Sequence, residues 1–182
     1  MGTYISMLRG INVGGTKKIL MKDLAALYES CGFTKIQTYV QSGNVVFDSR
    51  EKKPAAISKT IEAGIEKKYK FHAGVIVRTP QDFEKVIAGN PFLRERDIDT
   101  RSLYVTFLSD APDGLGLQNV ADAKSGADQF EIRGREIFVF CPDGYGTTKL
   151  TNNFFESKLK RAATTRNWNT VTTLYEMAVR KP

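Results

Sequence analysis

Tyr4-Ile5-Ser6-Met7-Leu8-Arg9-Gly10-Ile11-Asn12-Val13-Gly14-Gly15 is an apolar run that breaks into an arginine and a glycine-rich segment, with Lys17 and Lys18 just beyond. A short apolar run bounded by glycine predicts a buried strand over residues 4–8. Leu20, Leu24, Leu27 and Tyr28 then share one helical face, and Cys31-Gly32 supplies a glycine stop. Strand, glycine-rich loop and helix in that order present backbone N–H groups to an anion.

The next residues repeat strand signals. Residues 35–40 alternate and favour β-structure, Gln41-Ser42-Gly43 is a turn, and Asn44-Val45-Val46-Phe47-Asp48 returns as a hairpin. Pro54 suits a first helical position, and Ile57, Ile61 and Ile65 form an apolar stripe up to about residue 69. Residues 72–77 read as another strand. The order β-α-β-β-α-β is the split βαβ pattern of ferredoxin-like domains, with both helices on one face of a four-stranded antiparallel sheet. The other face is open unless something covers it.

Thr79-Pro80-Gln81-Asp82 opens a helix with a cap, a proline and an early acid, and Gly89-Asn90-Pro91 ends it. Strands follow at 103–108, 128–132 and 136–141, with a short helix over 117–123. Two helices close the chain, from Asn152 to about Arg161 and from Trp168 to about Val179. The expected fold class is α+β: a ferredoxin-like subdomain over 1–78 packed on a second α+β subdomain with antiparallel strands over 79–182. No flexible linker separates the two, so they are expected to pack tightly as one folding unit.

The 182 residues are 41% apolar and 26% charged, enough for a core, and they carry a net charge of +7. Residues 1–78 hold +7, residues 79–143 hold −5 and residues 144–182 hold +5, an asymmetry that suits a polyanionic partner or attraction within the chain. No apolar run approaches the roughly 18 residues of a membrane span. No secretory leader is visible, and Cys31 and Cys141 sit in apolar surroundings that favour reduced thiols, so the expected location is the cytoplasm.

Residues 10–17 fall one step short of a phosphate-binding P-loop, which needs lysine directly after its last glycine; here Thr16 precedes Lys17. The weaker expectation is that Gly10, Gly14 and Gly15 permit close backbone approach while Arg9, Lys17 and Lys18 supply charge. A structural loop needing glycine dihedrals explains the glycines equally well. Gln41, Ser42 and Asn44 lie near the same sheet end, where amides could orient a ligand and where turn chemistry also accounts for them. Base stacking of the usual RNA-binding kind is disfavoured, because the third strand offers only Phe47. One histidine and two scattered cysteines form no metal-ligand set, and no cofactor motif or catalytic pair is present. Lys149 and Arg166 are cations just ahead of helices, where the dipole disfavours them unless an anion is near. Asn167 joins them, while the neighbouring threonines suit capping.

Three motifs together carry a resemblance: Leu8-Arg9-Gly10-Ile11-Asn12-Val13-Gly14-Gly15, Tyr39-Val40-Gln41-Ser42-Gly43-Asn44-Val45 and Arg166-Asn167-Trp168-Asn169-Thr170-Val171. With Gly146-Thr147-Thr148-Lys149-Leu150, they make the chain resemble the uncharacterised bacterial domain-of-unknown-function family 1697. The resemblance implies an α+β protein with a ferredoxin-like first half and no assigned activity. Three readings follow. The first is binding of a phosphate-bearing ligand, nucleotide or nucleic acid, by Arg9, Gly10, Asn12, Gly14, Gly15, Lys17, Lys18, Gln41, Ser42, Asn44, Lys149, Arg166 and Asn167. The second is an enzyme acting on a small phosphorylated metabolite with the same groups. The third is a structural or protein-interaction module in which the motifs are turns and caps, a reading that buried, fully bonded Arg166 or Asn12 would favour.

Overall fold

In the computed structural model, which describes residues 1–94, 98–123 and 125–180, the N-terminal apolar run is β1 (Gly2–Leu8). It is followed by α1 (Met21–Ser30), β2 (Thr34–Tyr39), β3 (Asn44–Ser49), α2 (Pro54–Tyr69), β4 (Val75–Arg78) and α3 (Pro80–Gly89). The second half runs β5 (Leu103–Leu108), α4 (Gly114–Val120), β6 (Gln129–Arg133), β7 (Glu136–Phe140), α5 (Asn152–Leu159), β8 (Ala163–Asn167) and α6 (Trp168–Val179). The chain is α+β, with two antiparallel four-stranded sheets ordered β2-β3-β1-β4 and β6-β7-β5-β8. It divides into two units, Met1–Glu84 with Thr173–Pro182, and Lys85–Thr172.

In the first unit, strand alternation sends Tyr4, Leu8, Val45, Phe47, Val75 and Val77 toward the helices. There they meet Leu24, Leu27 and Tyr28 of α1 and Ile57, Ile61 and Ile65 of α2. Each isoleucine is fully buried, which stabilises the fold by about 1.5–3 kcal/mol per side chain. Helix α1 stops because Gly32 takes φ of 85°, letting its N–H bond Glu29 O at 2.9 Å and the Phe33 N–H bond Tyr28 O at 3.2 Å. That Schellman arrangement brings the Phe33 and Tyr28 rings to 5.8 Å. The opposite sheet face is not open: Ile5, Met7, Val46 and Ile76 are buried as well.

The second unit has the same plan. Leu108, Ile137, Val139 and Ala163 pack with Val120 of α4 and with Phe155 and Leu159 of α5. Its element order β-α-β-β-α-β and its strand order both match those of the first unit. The correspondence extends to single bonds. Leu8 N–H donates to Gly43 O and Arg9 N–H to Gly74 O; Leu108 N–H donates to Arg135 O and Ser109 N–H to Ala162 O. Counting four residues on from Gly74 and Ala162 reaches Arg78 and Arg166, opposite Ile5 and Val105 in register. Each is buried, and each donates from Nη1 to the carbonyl of the residue before it, Val77 or Thr165.

Three local expectations change. Residues 163–167 form a strand although they read as a polar approach to a helix; Thr164 and Thr165 are β-branched, and the sheet accepts Arg166 by bonding it internally. Strand β4 begins at Val75 rather than at His72, because β1 ends at Leu8, the register partner of Val75. Helix α4 starts three residues early, since Asp113 Oδ1 accepts from Gly116 N–H at 2.8 Å and caps it.

Candidate functional site

The glycine-rich segment is a miniature hairpin. Asn12 N–H donates to Lys17 O at 3.2 Å and Thr16 N–H to Val13 O at 3.1 Å, which leaves Gly14 and Gly15 as the two turn residues. Both have positive φ, 58° and 77°, as a two-residue turn of the I′ kind demands. Their N–H groups take part in no hydrogen bond among the described residues. Turn geometry therefore accounts for Gly14 and Gly15, and Gly10 also takes positive φ, 67°.

Asn12 anchors this arm. Its Oδ1 accepts from Ile19 N–H at 2.9 Å, and its Nδ2 donates to Ile19 O at 2.9 Å and to Gln41 O at 2.7 Å. All three bonds are internal and use both ends of the amide. Lys17 Nζ donates to His72 O at 2.7 Å and lies 5.8 Å from the Phe71 ring centroid. Lys18 is exposed, and Arg9 is half-buried at the foot of the arm.

The turn between β2 and β3 abuts the arm. Asn44 is buried, with Nδ2 donating to Tyr39 O at 3.1 Å and to Ser42 Oγ at 2.9 Å. Gly43 is required there: a Cβ would lie 2.7 Å from Ile11 Cδ1 and 2.8 Å from Leu8 Cβ. Val40 takes φ of 49°, a strained conformation for a β-branched residue, and is 50% exposed. Asn12, Lys17 and Val40, three non-glycine residues with left-handed φ, thus gather at one end of the first sheet. Arg9, Gly10, Asn12, Gly14, Gly15, Lys17, Lys18, Gln41, Ser42 and Asn44 all belong to this end. The strained Val40 is the member that motif reading passed over.

Lys149, Arg166 and Asn167 lie in the second unit and serve separate elements. Lys149 is exposed on the loop after β7, where its N–H donates to Ser125 Oγ at 2.9 Å. Arg166 is buried in β8 rather than presented at a helix start, and its Nη1 donates to Thr164 Oγ1 at 2.8 Å. Asn167 Oδ1 caps α6 by accepting from Thr170 N–H at 2.8 Å. Asn167 also lines a cleft of about 400 Å³ with Thr100, Arg101, Trp168 and Asn169. Arg101 there donates to Asp99 through Nε and Nη2, which holds the exposed Asp99 carboxyl below its ordinary range. Sequence reading missed Arg101, because its only local signal is the pair of residues Asp99 and Arg101 two apart. It also missed Arg78, whose counterpart Arg166 it did select, because the correspondence of residues 74–78 with 162–166 lies in backbone pairing and not in residue identity.

Two buried acids stand out electrostatically. Burial pushes the Cys141 thiol up to about 11, partly offset by its hydrogen bond to Thr148. Burial also raises the Tyr28 phenol, whose OH shares a 2.7 Å bond with Ser6 Oγ. Among the described residues, no three His, Cys, Asp or Glu side chains gather as metal ligands. No helix there is long and apolar enough to cross a membrane.

Two antiparallel four-stranded sheets, each carrying helices, and a stapled basic arm define the class of the molecule as a two-unit α+β protein. Residues 1–138 match the family described as protein of unknown function (DUF1697), and the chain belongs to that family. Among solved structures, it is similar to a conserved bacterial protein, SP0830, from Streptococcus pneumoniae. The two share 25% identity with a TM-score of 0.73, over 97% of this chain and 98% of the other. Comparison with curated proteins gave no match.

Proposed function

We propose that the protein binds a phosphate-bearing ligand, a nucleotide or a nucleic acid, on the arm formed by residues 9–20. One observation carries this reading. The second unit passes from β5 to α4 in five residues, 109–113, whereas the first takes twelve, 9–20, to make the equivalent passage from β1 to α1. The extra length is not needed to connect the elements, and loops longer than their connection requires are commonly functional. What the extra length adds is Lys17, Lys18 and the N–H groups of Gly14 and Gly15, next to Arg9 and the strained Val40. Strain of that kind costs stability and gathers at binding sites.

Within this reading, Asn12 and Arg166 are structural members, since their hydrogen bonds turn inward. The element and strand orders support reading both units as ferredoxin-like. The free thiols Cys31 and Cys141 support a cytoplasmic setting.

Thermal unfolding with inorganic phosphate, nucleotides and short single-stranded oligonucleotides tests the proposal. A ligand at 100 times its Kd adds about 2.7 kcal/mol, and each kcal/mol raises Tm by roughly 2–4 °C at this chain length. The expected result is such a rise, lost in Arg9→Ala and reduced in Lys18→Glu, whose side chain is exposed. A nucleic acid would lose affinity steeply with salt, and an enclosed nucleotide less so. No shift with any of these probes, or a shift indifferent to both substitutions, overturns the reading.

A further inference from the structure

The four outer strands of the two sheets differ in how they are protected. Strand β2 is broken by a register shift between Thr34 and Gln37, with Lys35 in a left-handed conformation at φ 51°. Bulges and edge lysines of this kind discourage a further strand from pairing. Strand β4 is only four residues long, and β8 is largely polar. Strand β6 has no register shift and no left-handed residue, and it alternates polar Gln129, Glu131 and Arg133 with apolar Phe130 and Ile132. Its five residues pair with β7 without interruption, and among the described residues it has no neighbour on its other side. An antiparallel ladder to one partner leaves the second row of backbone N–H and C=O groups facing outward.

The side chains of β6 are self-complementary. On one face, Glu131 Oε1 and Arg133 Nε form an ion pair at 2.6 Å, so the acid and the base stand two residues apart on either side of Ile132. On the other face, Phe130 and Ile132 line a groove of about 460 Å³ with Leu117, Val120 and the polar residues Asp128 and Gln129. Leu117 is 42% exposed, and Leu115 on the same helix is 69% exposed.

We infer that β6 pairs antiparallel with β6 of a second copy of this chain about a two-fold axis through Ile132. That register sets Glu131 opposite Arg133 of the second copy, and Arg133 opposite its Glu131. A shift that centres the axis on Glu131 would set two carboxylates face to face. On the other face, Ile132 meets its own copy, the two grooves join, and each Leu117 gains an apolar surface to cover. The contact is isologous and closes on itself, which makes one eight-stranded sheet from two four-stranded ones.

Sedimentation equilibrium on the full chain tests the pairing, with circular dichroism to confirm that each variant is folded. The expected mass is twice the 20.3 kDa of one chain. Glu131→Arg places like charges opposite each other and should yield monomer, and the double change Glu131→Arg with Arg133→Glu should restore the dimer. Leu117→Glu should also yield monomer. Because Arg133 also donates to Gly89 O, the double variant has a second function to lose, so a cross-link gives an independent readout. Ile132→Cys should form a covalent dimer under mild oxidation, and Gln129→Cys should not. Monomer at every concentration overturns the inference, and so does a dimer that is indifferent to Glu131→Arg or fails to cross-link at residue 132.

Discussion

Asn12 shows how much of the arm depends on one amide. Replacing it with alanine removes three internal hydrogen bonds and leaves Ile19 N–H and two carbonyls to find other partners, at a cost of about 1–3 kcal/mol. The measurable outcome is a lower urea midpoint together with faster amide exchange at Ile19. Gly43→Ala should cost more, about 2–4 kcal/mol, because it combines left-handed φ with a Cβ inside contact distance of Ile11 and Leu8. Gly15→Ala meets open space and should cost only about 1–2 kcal/mol, from its φ alone. Equal losses at the two glycines would contradict the packing described here. Val40→Gly points the other way. It relieves an unfavourable φ and should raise Tm, and if Val40 helps shape the binding end, it should also weaken the ligand-induced shift.

Element by element, legibility in the sequence followed the strength of the local signal. The stripe Ile57, Ile61 and Ile65 after Pro54 specifies α2, and the short, mostly apolar run of residues 103–108 specifies β5. Strand β8 was hidden because Thr164, Thr165 and Arg166 carry no apolar alternation; only pairing with β5 makes them a strand. Arg9, Lys17 and Lys18 were legible as a basic cluster. That Asn12 bonds inward, and that Gly14 and Gly15 form a hairpin turn, depends on contacts with residues far along the chain. The cap of α3 was legible, unlike that of α4, and carries a prediction. Thr79 Oγ1 accepts from Asp82 N–H while Asp82 Oδ2 accepts from Thr79 N–H, so Thr79→Ala should cost about 1 kcal/mol in denaturant.

The buried acids give the molecule a pH response. Cys141 is raised to about 11 from an ordinary value of 9.0, and Tyr28 is raised in the same direction. On unfolding, both groups give up protons more readily than in the folded chain. The contribution of Cys141 is therefore complete below about pH 9 and is lost as pH climbs toward 11, while that of Tyr28 begins to fall only above its ordinary value of 10.0. The urea midpoint should fall across that window, and Cys141→Ala should flatten the fall even where it lowers the midpoint overall. A midpoint that rises with pH there would contradict the assignment.

At the scale of the whole molecule, one plan is used twice and elaborated differently each time. The first unit lengthens the passage after its first strand, to residues 9–20; the second lengthens the passage after its third strand, to residues 141–151, against 50–53 in the first. The duplication was not legible from residue identity, since positions such as Gly74 and Ala162, or Val77 and Thr165, share backbone roles and no side-chain chemistry.

The first unit is also discontinuous, made of Met1–Glu84 and Thr173–Pro182. During synthesis its opening segment emerges early, yet the residues that finish it come after the whole of Lys85–Thr172. Domains ordinarily fold in the order in which they leave the ribosome. The sheet and the helix-facing core of the first unit are nevertheless complete by Arg78, so residues 173–180 add to a framework that already exists. A nascent chain halted after residue 172 should therefore already protect β1 to β4 from protease, and release of the last residues should add to that protection without creating it.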